Sequence, residues 1–179
     1  MNFIRRYYIN QRLTHFVDKR KTEQIRISSF DATKNICVFA TYHGEKKHKE
    51  LIESINYLKK SGKNVSVVYF FNQKKTPVAI SNNADIYIIY KKDISFTGLL
   101  NSHVQKEVKR LYHHFFIDVD RSSDTLALYL KTLINADLRI GRNRKHYNYY
   151  DLTFCVDENY TIKEYITNLE TYIKKLQGN

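Results

Sequence analysis

The chain has 179 residues, of which 42% are hydrophobic and 27% charged, and its formal net charge is +12. These values suit one globular domain and exclude a largely disordered chain. With only one Pro and five Gly, the composition disfavours a sandwich of many tight turns and favours long helices and strands.

The first predicted element is a basic helix over residues 2–21. Ile9, Leu13, Phe16 and Val17 recur on one face, whereas arginines and lysines crowd the remainder. We therefore divide the chain into a basic amphipathic N-terminal helix (1–22), a connector (23–35) and a single α/β domain (36–179). The pattern leaves open whether the helix packs on the domain or projects from it.

Strands and helices alternate through the rest of the chain. Apolar runs predict strands at residues 36–42, 65–71, 86–90, 115–118, 137–140 and 152–156. Helical periodicity predicts helices at residues 45–60, 101–113, 122–135 and 161–176. This alternation implies right-handed crossovers and a parallel sheet covered on both faces. The predicted fold class is α/β, a doubly wound, mainly parallel, three-layer sheet of Rossmann-like or flavodoxin-like type with the basic helix at its N terminus.

The cysteines and the chain start bear on the cellular location. Cys37 and Cys155 fall in apolar, strand-like runs, so we expect buried free thiols rather than a disulfide framework. The start MNFIRRYYIN is too polar for a signal-peptide core, and no apolar run approaches membrane-spanning length. We therefore expect a cytoplasmic protein without a transmembrane segment.

Basic residues follow the predicted strands, where parallel sheets bind their ligands. In chain order these residues are Lys46 and Lys47, Lys74 and Lys75, Lys91 and Lys92, Arg121, and then Arg142, Arg144 and Lys145. Tyr147 accompanies the last group and offers a ring on which a base could stack. Together with Arg5, Arg6 and Arg12 of the first helix, they predict a surface for an anionic partner, either RNA or the ribosome. The alternative is a set of solvated loop cations above half-buried tyrosines.

Asp118, Asp120 and Ser122 follow the fourth predicted strand and are the candidate catalytic residues if the protein is an enzyme. The alternative is that Asp120 or Ser122 caps the next helix. The sequence contains no Walker-type loop, no G-x-G-x-x-G and no G-x-S-x-G nucleophile elbow. This absence favours binding without catalysis, and it predicts no cofactor.

Six histidines are candidate metal ligands: His43, His48, His103, His113, His114 and His146. None has a Cys, Asp or Glu at ligand spacing, and the adjacent His113 and His114 point to opposite sides of their element. The sequence therefore predicts no metal site.

Several short motifs carry a resemblance to a known family. They are Lys91-Lys92-Asp93 ahead of Phe96 to Gly98, Phe116-Ile117-Asp118, Ile140-Gly141-Arg142 and Tyr150-Asp151-Leu152. Through them nearly the whole chain resembles an uncharacterised domain family common in Bacteroidota, which has no established activity. The span from Phe116 to Arg142 is also similar to part of the acceptor half of heptosyltransferase-like glycosyltransferases. Those enzymes use a second Rossmann-like half, which this sequence does not contain, so this resemblance implies shared architecture.

Three hypotheses of function result. The preferred one is a non-catalytic module that binds RNA or a ribonucleoprotein. The alternative is a small nucleotide- or sugar-phosphate-binding enzyme that uses Asp118, Asp120, Ser122 and Arg142 and carries a concave pocket at the strand ends. The third is contact between the first helix and an anionic membrane surface.

Overall fold

The computed structural model describes residues 3–25, 27–72, 85–122, 124–142, 149–155 and 160–177. Within these ranges the strands are β1 (Asn35–Thr41), β2 (Asn64–Phe71), β3 (Ile86–Tyr90), β4 (Tyr112–Asp118), β5 (Asn135–Gly141) and β6 (Leu152–Thr153). The helices are α1 (Phe3–Thr22), α2 (Glu45–Lys60), α3 (Ser102–Arg110), α4 (Thr125–Thr132) and α5 (Ile162–Gln177), and a 3₁₀ turn spans Lys91–Asp93.

The strands form one sheet in the order β3-β2-β1-β4-β5-β6. Every neighbouring pair runs parallel, and Val38 of β1 is in register with Val67 on one side and Ile117 on the other. Strands β1 to β3 build outward in one direction and β4 to β6 in the other, so the strand order reverses between β1 and β4. This is the doubly wound order of Rossmann-type sheets, and the predicted fold class is confirmed.

The sheet is buried on both faces, and β1 shows how the sequence achieves this. Its side chains alternate, with Val38 facing one hydrophobic core and Phe39 facing the other. The first core takes Leu51, Leu58, Ile166 and Leu169 from α2 and α5. The second takes Ile9, Leu13, Val108, Leu126 and Leu130 from α1, α3 and α4.

Helix α1 packs against the sheet, which answers the question that its sequence left open. Ile9 and Leu13 are completely buried. At the other end of α1, the Arg20 guanidinium bonds the buried Asp151 carboxylate, with Nε 2.9 Å from Oδ1. Although α1 is 20 residues long, neither it nor any other helix in the described ranges is long and apolar enough to cross a bilayer.

A buried arginine ties α1, α4 and β5 together. Arg139 is 1% exposed, and it donates to the carbonyls of Lys131 and Ile134, where α4 ends. Its guanidinium lies 4.8 Å from the centre of the Phe16 ring and 4.4 Å from that of Phe116. Burial lowers the pKa of Arg139 to about 10. The side chain therefore satisfies orphan carbonyls of a helix end from within the core.

Three predicted elements are longer than the observed ones, and each difference has a local cause. The helix predicted over 101–113 ends at Arg110, because Tyr112 and the residues after it pair with β5 as part of β4. The helix predicted over 122–135 spans only Thr125–Thr132, because Asp124 caps it and Asn135 already pairs in β5.

The last strand, predicted over 152–156, is only Leu152–Thr153. The apolar pattern continues beyond the residues that pair, because β6 pairs only with Ile140 and Gly141 at the end of β5. Cys155 consequently lies exposed outside the sheet, contrary to expectation, whereas Cys37 in β1 is buried as predicted.

Candidate ligand site at the switch point of the sheet

The reversal of strand order between β1 and β4 opens a crevice at the carboxyl ends of these strands. Because α2 covers one face of the sheet and α4 the other, the chain leaves β1 and β4 in opposite directions. A cavity of about 300 Å³ lies there. Its lining residues are Ala40, Thr41, His43, Lys47, Leu51, Tyr69, Val119, Asp120, Arg121, Ser122 and Ile162.

The cavity has apolar walls and a cationic rim. Leu51, Tyr69, Val119 and Ile162 are buried side chains of the first core. Burial raises the pKa of the Tyr69 phenol above its ordinary value, so this ring stays neutral. At the rim the His43 side chain is 48% exposed, and Lys47 and Arg121 also line the opening.

Thr41, the last residue of β1, lines this cavity. The residue is 8% exposed, and its Oγ1 is buried without a hydrogen-bond partner among the residues that the structure describes. Buried hydroxyls are nearly always bonded, and leaving one unpaired costs about 1–3 kcal/mol. A partner supplied by a ligand would remove this cost.

Within the part of the chain that the structure describes, no side chain caps the start of α2. Gly44 precedes α2 with a φ of +100°, a conformation that suits glycine, and it offers no side chain to the first-turn amides. By contrast, Asn101 caps α3 and Asp124 caps α4 through their side-chain oxygens. The amides and the dipole of α2 are thus left to interact with an anion next to Lys47.

Beneath the rim, Asp118 and Asp120 form a buried ionic cluster with Lys131. The Lys131 ammonium lies 2.8 Å from Asp118 Oδ2 and 3.0 Å from Asp120 Oδ2. Tyr150 donates its hydroxyl to Asp118. All four side chains are nearly inaccessible to solvent, so each carboxylate depends on these partners for its stability.

Asp120 also contacts Ser122, two residues further along the chain, and His43 at the rim. It accepts from the Ser122 amide at 3.1 Å and from the Ser122 hydroxyl at 2.9 Å. His43 Nε2 lies 3.3 Å from its Oδ1. Burial raises the pKa of Asp120, but the bond to His43, the charge of Lys131 and the Ser122 amide outweigh it and hold the pKa well below its ordinary value. Asp120 is therefore an ionised group that orients His43.

The helix-capping alternative for Asp120 and Ser122 is wrong. Asp124 caps α4, since its Oδ1 accepts from the Leu126 amide at 2.8 Å. Asp120 bonds Lys131 and Ser122 instead.

The structure brings some of the predicted basic residues to one edge of the sheet. Lys46, Lys91, Lys92 and Arg121 are exposed beyond the ends of three parallel strands. Arg121, although exposed, bonds the Tyr160 carbonyl. Two others have partners within the protein: Lys47 binds Glu50 at 2.6 Å, and Arg142 lies 5.1 Å from the centre of the Tyr165 ring.

The remaining predicted residues do not join that edge. In α1, Arg5 donates to the Ser95 carbonyl at 2.9 Å, whereas Arg6 and Arg12 are exposed on the helix surface. Lys74, Lys75, Arg144, Lys145 and Tyr147 lie outside the described residues.

Four side chains that sequence reasoning missed are Thr41, Lys131, Arg139 and Tyr150. Lys131 carried a signal, because a lysine in the apolar run Leu126 to Ile134 requires a buried acidic partner. Among the described residues, no three His, Cys, Asp or Glu side chains are placed to hold a metal ion together.

The sheet and its crevice define a doubly wound α/β protein with a candidate ligand site at the switch point, where nucleotides and related molecules bind in this class of fold. Within that class the chain belongs to a family of unknown function, DUF6913, whose model matches residues 5–176. The resemblance to a family without established activity is confirmed at that level. No curated protein and no solved structure matches the chain.

Proposed function

We propose that the protein binds a small phosphorylated ligand, of the nucleotide or sugar-phosphate class, in the crevice between β1 and β4. One observation carries the proposal: an apolar cavity with a cationic rim lies at the switch point, and its lining residue Thr41 has a buried hydroxyl without a partner among the described residues. Charge at the rim, an apolar interior and one neutral polar group inside are the usual features of a small-molecule site.

The lining residues imply an orientation for the ligand. Its phosphate would meet Lys47, Arg121 and the start of α2, where cations and free amides favour an anion. Its less polar body would enter between Tyr69 and Ile162, and one polar atom would pair with Thr41.

The size of the cavity limits the ligand. About 300 Å³ is at the lower end of the volumes that ligand pockets span. This favours a mononucleotide or a sugar phosphate over a dinucleotide.

We propose binding without catalysis by the two aspartates. Asp118 and Asp120 are held by Lys131, Tyr150 and Ser122, and both are nearly inaccessible to solvent. A general base must reach the proton that it removes. Because both carboxylates are already bonded within the protein, we propose that they position neighbouring side chains such as His43.

Isothermal titration calorimetry with adenosine monophosphate, uridine monophosphate and a hexose phosphate tests the proposal. We expect one ligand to bind with one-to-one stoichiometry and Lys47→Gln to weaken binding by about tenfold. Lys46→Gln is the matched control, because Lys46 is exposed on the same helix turn and does not line the cavity. Absence of binding by all three probes, or equal weakening by both variants, would refute the proposal.

Thr41→Val provides a second, more specific variant. Valine keeps the shape of threonine and removes only the hydroxyl, which has no described partner to lose. We expect unchanged or slightly higher stability in urea denaturation, together with about fivefold weaker ligand binding. A loss of stability without a change in affinity would show that Thr41 serves the fold instead.

RNA, or a ribonucleoprotein such as the ribosome, is our second candidate partner. The observation that favours it is the row of exposed cations Lys46, Lys91, Lys92 and Arg121 along one sheet edge. Such a module would act in the cytoplasm, which is the location that we propose. Helix α1 is left out of this candidate, because its exposed face is apolar as well as basic and suits an anionic membrane surface better.

Filter binding to RNA across a salt series tests this second candidate. Phosphate contacts release counterions, so affinity must fall steeply as salt rises. We expect the variant carrying Lys91→Gln and Lys92→Gln to bind more weakly with a smaller salt dependence. A response that does not change with salt, or an unaffected double variant, would exclude RNA as the partner.

A further inference from the structure

The first two turns of α1 expose large apolar side chains to solvent. Phe3 is 82% exposed and Tyr7 53% exposed, and Ile4 and Tyr8 are exposed beside them. These residues lie on the side of the helix opposite Ile9 and Leu13, which pack on the sheet. Single exposed apolar residues are ordinary, but four on two helical turns form a patch that requires an explanation.

A second exposed ring lies next to these turns. Phe96 is 70% exposed, in the turn between Ile94 and Leu100. That turn contacts α1 directly, because Arg5 donates to the Ser95 carbonyl at 2.9 Å and its Cγ would lie 2.8 Å from a Cβ placed on Gly98. The same Cβ would lie 2.8 Å from Ile9 Cδ1, so the turn packs on the Arg5 and Ile9 side of α1, beside its exposed face. We name Phe3, Ile4, Tyr7, Tyr8 and the neighbouring Phe96 together the aromatic patch.

The charges around the aromatic patch are positive. Residues 3–17 of α1 contain no Asp or Glu. Arg6 and Arg12 are exposed on α1, and Lys91 and Lys92 are exposed on the 3₁₀ turn that leads toward Phe96. The nearest acid on that turn, Asp93, is engaged by the Tyr90 amide at 2.8 Å. The patch is thus apolar at its centre and cationic around it.

We propose that the aromatic patch docks the protein on an anionic phospholipid surface. Phe3 and Phe96 would enter the boundary between headgroups and acyl chains, and the tyrosines would remain at headgroup level. Arg6, Lys91 and Lys92 would contact lipid phosphates. A membrane fits better than a nucleic acid, because Ile4 offers no ring on which a base could stack. Docking is reversible, because only two turns of one helix and one loop residue insert.

The chain contains no Trp, so a single introduced tryptophan reports on one position. Phe3→Trp, Phe96→Trp and the control Leu176→Trp each replace an exposed side chain of the full chain. Leu176 is close to the end of α5, which packs on the face of the sheet opposite α1. We expect vesicles of phosphatidylcholine mixed equally with phosphatidylglycerol to shift the emission of the first two variants to the blue and to leave the third unchanged. Pure phosphatidylcholine vesicles should shift none of them.

Co-sedimentation with the same vesicles measures affinity. We expect the variant carrying Phe3→Ser and Phe96→Ser to lose about tenfold or more in vesicle binding. The control carries Ile27→Ser and Leu176→Ser, which remove two exposed apolar side chains elsewhere. No binding to the anionic vesicles would overturn the proposal, as would equal binding by both double variants, which would mean attraction by charge alone. Lys47→Gln should bind vesicles normally, so failure of the crevice proposal leaves this one standing.

Discussion

Replacing Lys131 by methionine tests the most consequential interaction of the site. The Lys131 ammonium pairs with two carboxylates, those of Asp118 and Asp120, and the residue is 1% exposed. Its charge also lies 5.0 Å from the centre of the Phe39 ring, within range of a cation–π contact. Methionine keeps the length and apolar character of the stem, so Lys131→Met removes the charge with little change in packing.

The expected loss of stability is large. Breaking a buried ion pair by removing one partner costs about 3–5 kcal/mol, because the other charge is left uncompensated. Here two carboxylates of like charge would remain together in the interior, which places the cost at the upper end of that range. The loss is a substantial fraction of the about 5–15 kcal/mol by which domains are ordinarily stable.

Urea denaturation at neutral pH measures this loss. Lys106→Met is the control, because Lys106 is an exposed lysine of α3, and its replacement should change stability by less than about 0.5 kcal/mol. Protonation can relieve the remaining carboxylates, so the deficit of Lys131→Met should shrink as the pH is lowered. A deficit below about 1 kcal/mol at neutral pH would mean that the cluster is effectively solvated, and the reasoning would be refuted.

Three further predictions concern stability. Burial and the neighbouring His114 lower the pKa of His113 to about 4, so the folded state binds this proton less readily than the unfolded state. The free energy of unfolding should therefore fall by about 2 kcal/mol between about pH 6.5 and pH 5. Urea titrations at both pH values should show a smaller loss for His113→Gln. Gly141→Ala places a Cβ 2.4 Å from the Tyr150 ring, so we expect a loss of about 1–3 kcal/mol in thermal unfolding, and a neutral result would show that the ring moves freely. Arg20→Gln leaves Asp151 without its cation and should detach the end of α1, seen as faster amide exchange there, whereas unchanged exchange would contradict this anchoring role.

The order of elements was predictable from the sequence because each predicted strand carries a strong local signal. Strand β2 is almost continuously β-branched or aromatic, as expected of a strand buried on both faces. The ends of α3 and α4 were not predictable to the same degree. Apolar residues of a helix run directly into those of the next strand there, and periodicity alone does not separate them.

The location of the candidate site was predictable from the sequence, but the contacts between its side chains were not. Parallel strands required that Lys46, Lys91 and Arg121 emerge at one edge, and the structure brings them there. The partners of the aspartates were not predictable, because Lys131 and Tyr150 come from elements whose contacts depend on the three-dimensional fold. A lysine within an apolar run predicts that an acidic residue pairs with it, but the sequence does not identify that residue.

The buried cluster constrains which end of a ligand enters the crevice. Two carboxylates and one ammonium, those of Asp118, Asp120 and Lys131, carry a net charge of −1 when all are ionised, and His43 bonds to the Asp120 side of that cluster. A phosphate placed against the floor would meet this negative charge at low dielectric, where repulsion is strongest. At the rim the same phosphate meets Lys47, Arg121 and the start of α2, while the inner walls are mostly apolar side chains with Thr41 among them. The electrostatics of the fold therefore favour a ligand whose neutral end is buried and whose anionic end faces solvent.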